Sequence, residues 1–321
     1  MKLTSSESRR LFSAFAVCVL LYNLPVILWG AYVRVSFSGD GCGAHWPTCE
    51  GQFIPRAMAA PMAIEFTHRV MTSLDTAAVL ALVLWAFLAY PKRFSVRRYA
   101  VLSLIFLLIE ALLGAGLVLF RYVAKDQSAG RVWYLSAHLT NTMLLLGALT
   151  VTAWLAWTRT ERLYLRKAQG ALIIGLIGIV LVSVTGTVTA LGDTLFPASS
   201  LAAGMQTDFA RASSLLVKLR VIHPLLAVAG AAYVLWMAAG VLRRRRSDTA
   251  ASAATVVIWI TVSQVAAGLI NLALLAPLAM QLIHLLIADL VWIALVALTL
   301  EQSVDQSEAV SASKSERPIP A

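Results

Sequence analysis

Charge is scarce in this 321-residue chain. Only 13% of its residues are Asp, Glu, Lys or Arg, against 60% hydrophobic, whereas soluble domains carry about a quarter charged residues. An ordinary soluble domain is excluded and an integral membrane protein is implied. Cysteine is nearly absent, at three residues. Cys42, Cys49 and nearby His45 are too few ligands for a zinc site, and their spacing fits no standard finger. The first apolar segment lacks a small-residue cleavage site and is longer than the apolar region of a signal peptide, so it reads as retained. No Arg-rich, acid-free presequence precedes it, which makes a bacterial or archaeal plasma membrane the expected location. Residues from about 302 onward are polar and Ser-rich and include Pro318 and Pro320, so a disordered tail is expected there.

Apolar runs are plentiful. A bilayer core of about 30 Å needs about 20 residues of helix, and runs of that length lie near 11–33, 64–90, 97–120, 131–157, 168–190, 215–242, 253–276 and 278–300. Eight transmembrane helices are predicted, the last two divided only at Ala276-Pro277. Of the net charge of +10, the distribution matters most. Lys2, Arg9 and Arg10 precede the first span; Lys92, Arg93, Arg97 and Arg98 follow the second; Arg159, Arg162, Arg166 and Lys167 follow the fourth; Arg243 to Arg246 follow the sixth. The positive-inside rule then places both termini in the cytoplasm. The Arg243 to Arg246 run reads as a solvated or lipid-headgroup face, and no nucleic-acid partner is expected.

The two halves repeat. Gly30 and Gly186 are 156 positions apart, His68 and His223 155, and Gly114 and Gly268 154. His138 and His284 are only 146 apart, because the charged connection from Arg121 to Arg131 has almost no counterpart around Pro277. The fold class expected is all-α: two tandem four-helix bundles related by a pseudo-two-fold axis along the membrane normal. The halves are residues 1–160, with an outer loop at 34–63, and 161–301, followed by the tail at 302–321.

Four of the five histidines mark this repeat. His68, His138, His223 and His284 each sit about six residues inside an even-numbered span, roughly 8 to 10 Å deep at 1.5 Å per residue, toward the outer side. An imidazole in hydrocarbon is costly and tends to be functional. One such residue is most simply a hydrogen-bonded interhelical contact, but four at matched depth in a duplicated frame describe two bis-histidine haem sites. His68 pairs with His138 and His223 with His284, as axial ligands of iron.

The halves differ beside these ligands. Glu65 lies three residues before His68 on the same helix face, whereas Arg220 holds that place before His223. An acid there can move protons or stabilise developing positive charge; a salt bridge to Arg69 is the plainer alternative. The carboxylate assigns chemistry to the first half and electron supply to the second. Arg34, Arg69, Arg131, Lys218 and Arg220 are candidates for pairing haem propionates, or simple interfacial anchors. Cys42 and Cys49, with six residues between them, can close a disulfide in an oxidising space, as a passive staple or as a redox pair. Cys18 reads as an inert buried thiol, and Trp29, Tyr32 and Trp133 as interfacial belt residues. Glu110 in the third span corresponds to Gln264 in the seventh and is expected to face the bundle interior, in a polar or proton network.

Gly30-Ala31-Tyr32-Val33-Arg34, the loop from Gly41-Cys42 to Cys49 and Gly51, and Glu65-Phe66-Thr67-His68-Arg69 together resemble the haem A synthase family. The likeness runs through nearly the whole chain, and the Glu-Phe-Thr-His-Arg motif beside the cysteine loop is its most specific part. Some relatives carry a second cysteine pair after the fifth span; the segment starting Gly192-Asp193-Thr194 has none. The resemblance implies oxidation of a haem O methyl group to a formyl group, giving the haem A used by terminal oxidases, through an alcohol and a geminal diol that loses water. It implies that His223 and His284 hold a permanent haem b and that His68 and His138 bracket haem O. Glu65 is then an essential neighbour, and Cys42 with Cys49 a relay of reducing equivalents. Implied partners are a haem O synthase, oxidase assembly factors, an electron donor and membrane lipids. The rival readings are a dihaem b-type cytochrome exchanging electrons with quinone and a haem or solute transporter built on parallel repeats.

Overall fold

A run of apolar side chains in lipid must satisfy its own backbone hydrogen bonds, and the helix is the form that does so within one segment. The computed structural model describes residues 5–163, 170–210, 215–244 and 247–315. Its helices are α1 (Ser5–Val35), α2 (Ala60–Ala89), α3 (Ser95–Leu119), α4 (Ala129–Thr158), α5 (Gly170–Leu195), α6 (Leu201–Phe209), α7 (Leu215–Leu219), α8 (Ile222–Arg244), α9 (Asp248–Ala273) and α10 (Leu278–Ser315). Among the described residues there is no strand, only an isolated bridge between Cys49 and Gln52. Eight stretches are long and apolar enough to cross a membrane: α2 to α5, α9, most of α1, Leu216–Arg244 through α7 and α8, and Leu278–Ser303 of α10. All eight expected spans are present, and the protein is an all-α, multi-pass membrane protein.

Local chemistry sets the ends. Pro61 stands in the first turn of α2, where a missing N–H costs nothing. The Ser128 side chain caps α4 by accepting the Arg131 N–H. Leu275 and Ala276 take φ of 62° and 54°, turning the chain out of α9 just before Pro277. Two boundaries differ from expectation. The sixth span breaks at Arg220-Val221, which leaves His223 as the second residue of α8. The last helix runs on to Ser315 rather than ending near 301, since no Gly or Pro interrupts it before Pro318. Arg166, Lys167, Arg245, Arg246 and residues 316–321 lie outside the described residues.

Helix contacts form two closed rings. In one, α1 packs on α2, α2 on α3, α3 on α4 and α4 on α1; in the other, α5 packs on α8, α8 on α9, α9 on α10 and α10 on α5. The rings meet where α4 touches α5 and α10, and α1 touches α10. Trp292 Nε1 donates to the Met143 carbonyl at 2.7 Å across the seam. Burial is uneven along the bundle. Phe12, Val19, Val79, Leu82, Val96, Leu149, Leu155 and Leu300 form a tight core at the end away from the histidines. On the histidine side, Glu65 is the one buried residue of α2 before Asp75, and α8 has none before Val234. An apolar groove of about 480 Å³ opens at this end between α1 and α10, lined by Pro25, Leu28, Trp29, Tyr32 and Leu282. Tight packing at one end holds the helices while the other remains loosely filled.

Candidate functional site

Each of the four histidines faces a glycine on the preceding membrane span: α1 for His68, α3 for His138, α5 for His223 and α9 for His284. A methyl group added at Gly30 would sit 3.0 Å from His68 Cε1, at Gly186 2.9 Å from His223 Cε1, and at Gly268 3.0 Å from His284 Cε1; at Gly114 it would lie 3.8 Å from His138 Cε1. The distance at Gly186 is shorter than real side chains show and those at Gly30 and Gly268 would make the ring give way, so glycine lets those rings lie close against the neighbouring backbone. The repeat marks read from sequence are therefore also contacts. All four rings are half-buried. His68 lies within electrostatic range of His138, and His284 within that of His223.

Their polar surroundings differ. His223 Nδ1 lies 3.2 Å from both Thr185 Oγ1 and the Val182 carbonyl, a setting that keeps the proton on Nδ1 and leaves Nε2 a free lone pair. His284 Nε2 approaches Gln264 Nε2 at 3.3 Å. His138 Nδ1 stands 3.4 Å from Glu110 Oε1, an ionic approach without full hydrogen-bond alignment. His68 Nδ1 is buried without a partner. Glu110 faces the bundle interior as expected, where it accepts from Asn141 Nδ2 at 2.5 Å and from the Thr142 hydroxyl.

Glu65 is buried and tied to the cysteine loop. Its Oε2 accepts the Cys42 N–H at 2.8 Å and its Oε1 pairs with Arg69 Nη2. Arg69 Nη1 in turn donates to the carbonyls of His45 at 2.8 Å and Thr48 at 2.6 Å. Cys42 and Cys49 form a disulfide and are both buried. The salt bridge to Arg69 and the position near His68 thus coexist: one ion pair on α2 clamps the cysteine loop over the first ring. His45 is an exposed loop residue. Cys18 is exposed on the helix surface rather than buried, because its face of α1 does not turn toward the core.

The five cationic candidates divide by what they already hold. Arg69 is committed to the cysteine loop. Arg220 is committed to Asp193 at 3.1 Å, to Asp208 at 2.9 Å and to the Phe196 carbonyl at 3.0 Å. Lys218 lies in α7. Arg131 is 2% exposed; its Nη1 donates to the carbonyls of Ala124 and Asp126, while its Nε is buried without a partner. Arg34 also has a buried, unpartnered Nε, and it falls within electrostatic range of Arg131 and Asp193. Arg34 and Arg131 therefore have donor capacity left for an anion.

These residues fit a haem. Among the described residues no group of three or more His, Cys, Asp or Glu side chains converges as a site for a bare ion. A macrocycle supplies its own equatorial nitrogens and needs only two axial ligands, and each ring of helices brings two imidazoles within range. Unpartnered Nδ1 atoms on His68 and His284 and the glycine seats belong to the same picture. Sequence reasoning missed Thr185, the Asp193 and Asp208 partners of Arg220, and the Asn141 and Thr142 shell of Glu110. Only Thr185, adjoining the repeat glycine Gly186, carried a local signal.

Comparison with known proteins reaches the same point. The sequence model of the COX15-CtaA family, cytochrome oxidase assembly protein, matches residues 13–296. A protein of Thermus thermophilus named protoheme IX farnesyltransferase is 43% identical over 290 residues, covering 89% of this chain and 47% of that protein. Proteins named heme A synthase are 38% identical over 110 residues in an Exiguobacterium species, covering 34% of this chain and 36% of theirs, and 39% identical over 111 residues in Halalkalibacterium halodurans, covering 35% and 37%. The chain spans less than half the length of these curated relatives. With the family match running from α1 into α10 over four glycine-seated histidines, the chain belongs to the haem A synthase family of cytochrome oxidase assembly proteins.

Proposed function

We propose that the protein oxidises the methyl group of haem O to a formyl group, by successive hydroxylations, and so makes haem A. The observation that carries this reading is the pair of imidazole sites on glycine seats, one with the carboxylates of Glu65 and Glu110 beside it and one with Thr185, Gln264 and the cation of Arg220. Residues 1–160 are the substrate half, with His68 and His138 bracketing haem O. Residues 161–301 are its parallel repeat, with His223 and His284 holding haem b. That haem, when bound, supplies one-electron storage. Arg34 and Arg131 take propionates through their spare donors. Glu65 holds the outer loop over the substrate and presents a carboxylate beside the reacting region. Cys42 and Cys49 cover the same face, as staple or electron relay. The setting is a plasma membrane with both termini cytoplasmic and the haem sites toward the outer side; a haem O synthase, oxidase assembly factors and an electron donor are the partners.

The name of the Thermus relative raises a second product, a farnesylated protohaem. The match covers under half of that protein, so its name describes much that this chain does not match. Extraction of pigment from cells expressing the chain, with and without a source of haem O, separates the readings by mass. Formyl-bearing haem A made only when haem O is present is the expected result. Two equivalents of haem b with no new pigment would make the protein an electron carrier, and a farnesylated product from protohaem would make it a transferase. Either outcome overturns the proposal.

A further inference from the structure

Glu110 and Gln264 occupy the same place in their rings. Each lies one turn before a seat glycine, Glu110 before Gly114 on α3 and Gln264 before Gly268 on α9, and each reaches the histidine that the glycine faces, Glu110 at Nδ1 and Gln264 at Nε2. Their chemistry differs. The Asn141 amide donates to the Glu110 carboxylate and to the Phe106 carbonyl at 2.8 Å, and the Thr142 hydroxyl, which also reaches the His138 carbonyl at 2.9 Å, lies against the same carboxylate. Such a shell suits a carboxylate that only accepts. The third approach to it, from His138 Nδ1 at 3.4 Å, is then an N–H turned toward a negative charge.

We propose that Glu110 is the positioning residue of His138: its carboxylate holds the ring with Nδ1–H inward and Nε2 free for iron, and makes this ligand more electron-donating than its counterpart His284. The inference rests on reading His138 as an iron ligand. A carboxylate behind a ligating imidazole raises the ligand's basicity, and a more basic ligand favours the ferric over the ferrous state. Gln264 places only a neutral amide beside His284. The two haems of one duplicated frame are thereby given different potentials by a single side-chain difference, the lower one in the substrate half.

The test uses the full chain purified in detergent and titrated with haemin, with the affinity and midpoint potential of each haem followed optically. His138→Ala identifies the haem of the first ring. In Glu110→Gln that haem is expected to rise in potential and bind about 10- to 100-fold more weakly, while the other haem is unmoved and serves as the check on folding. Glu110→Asp keeps the charge and stays nearer the parent. If Glu110→Gln does not accumulate, Gln264→Glu supplies the converse: a lowered potential for the haem on His284. An unchanged potential and affinity in Glu110→Gln, or an unchanged potential in Gln264→Glu when the first variant fails to fold, overturns the inference. Haemin binding that His138→Ala leaves intact removes the ligand assignment itself, and the inference with it.

Discussion

Position for position, the two rings invert a charge next to their first histidine. Glu65 stands three residues before His68 and Arg220 three before His223, 155 positions apart. Both are buried and both pin a segment at the histidine end, by opposite means. Glu65 accepts from Cys42 and holds Arg69, which grips the loop carbonyls over a disulfide. Arg220 is itself the donor, gripping Asp193 at the end of α5 and Asp208 at the end of α6. The need to anchor a loop over a half-buried ring is common to both rings, while the sign of the charge left near that ring is free to change. On the proposed function, that freedom would let one ring specialise in chemistry and the other in storage.

The sharpest way to break the comparison is to exchange losses between the rings. His223→Ala is expected to abolish the haem b spectrum, whereas Glu65→Gln is expected to keep it and lose at least about 100-fold in aldehyde formation. Gln at 65 still accepts the Cys42 N–H but no longer neutralises Arg69. Haem b surviving in His223→Ala, or formyl product persisting in Glu65→Gln, would erase the division of labour between the rings.

Next in size are the loop anchors. Arg220→Ala leaves Asp193 and Asp208 facing each other without their cation, at a cost of about 3 kcal/mol, visible as a lower melting temperature in detergent with the first ring's haem binding intact. Cys42→Ser with Cys49→Ser separates the two roles of the first loop: turnover lost with melting and haem content unchanged marks a relay, and stability lost along with turnover marks a staple. An Arg220→Ala variant melting with the parent would show that the second loop is not held by its ion pairs.

The glycine seats give the smallest and most selective effect. Gly186→Ala brings a methyl to 2.9 Å of His223 Cε1, and Gly114→Ala brings one to 3.8 Å of His138 Cε1. Overpacking costs about 1 to 3 kcal/mol, so the first should weaken haem b binding about tenfold while the second leaves haemin affinity near the parent. Equal effects in the two variants, measured by the same titration, would mean that the seats do not set ring position.

Much of this was legible in the chain itself. Apolar length and scarce charge determined eight spans, because a helix satisfies its own backbone in lipid, and the glycines and histidines singled out by their offsets proved to be contacts. Those features are local or periodic, so they survive without coordinates. What sequence could not decide was which charge meets which. Arg69 and Arg220 looked as available to a propionate as Arg34 and Arg131; only the folded chain, bringing His45 and Thr48 to Arg69 and Asp193 with Asp208 to Arg220, commits the first two. The break that makes His223 the second residue of α8, the helix continuing to Ser315 and the exposed Cys18 likewise waited on packing. Spacing along one helix says which face a side chain takes, but the partner on that face comes from another part of the chain, and electrostatic pairing depends on distance in space.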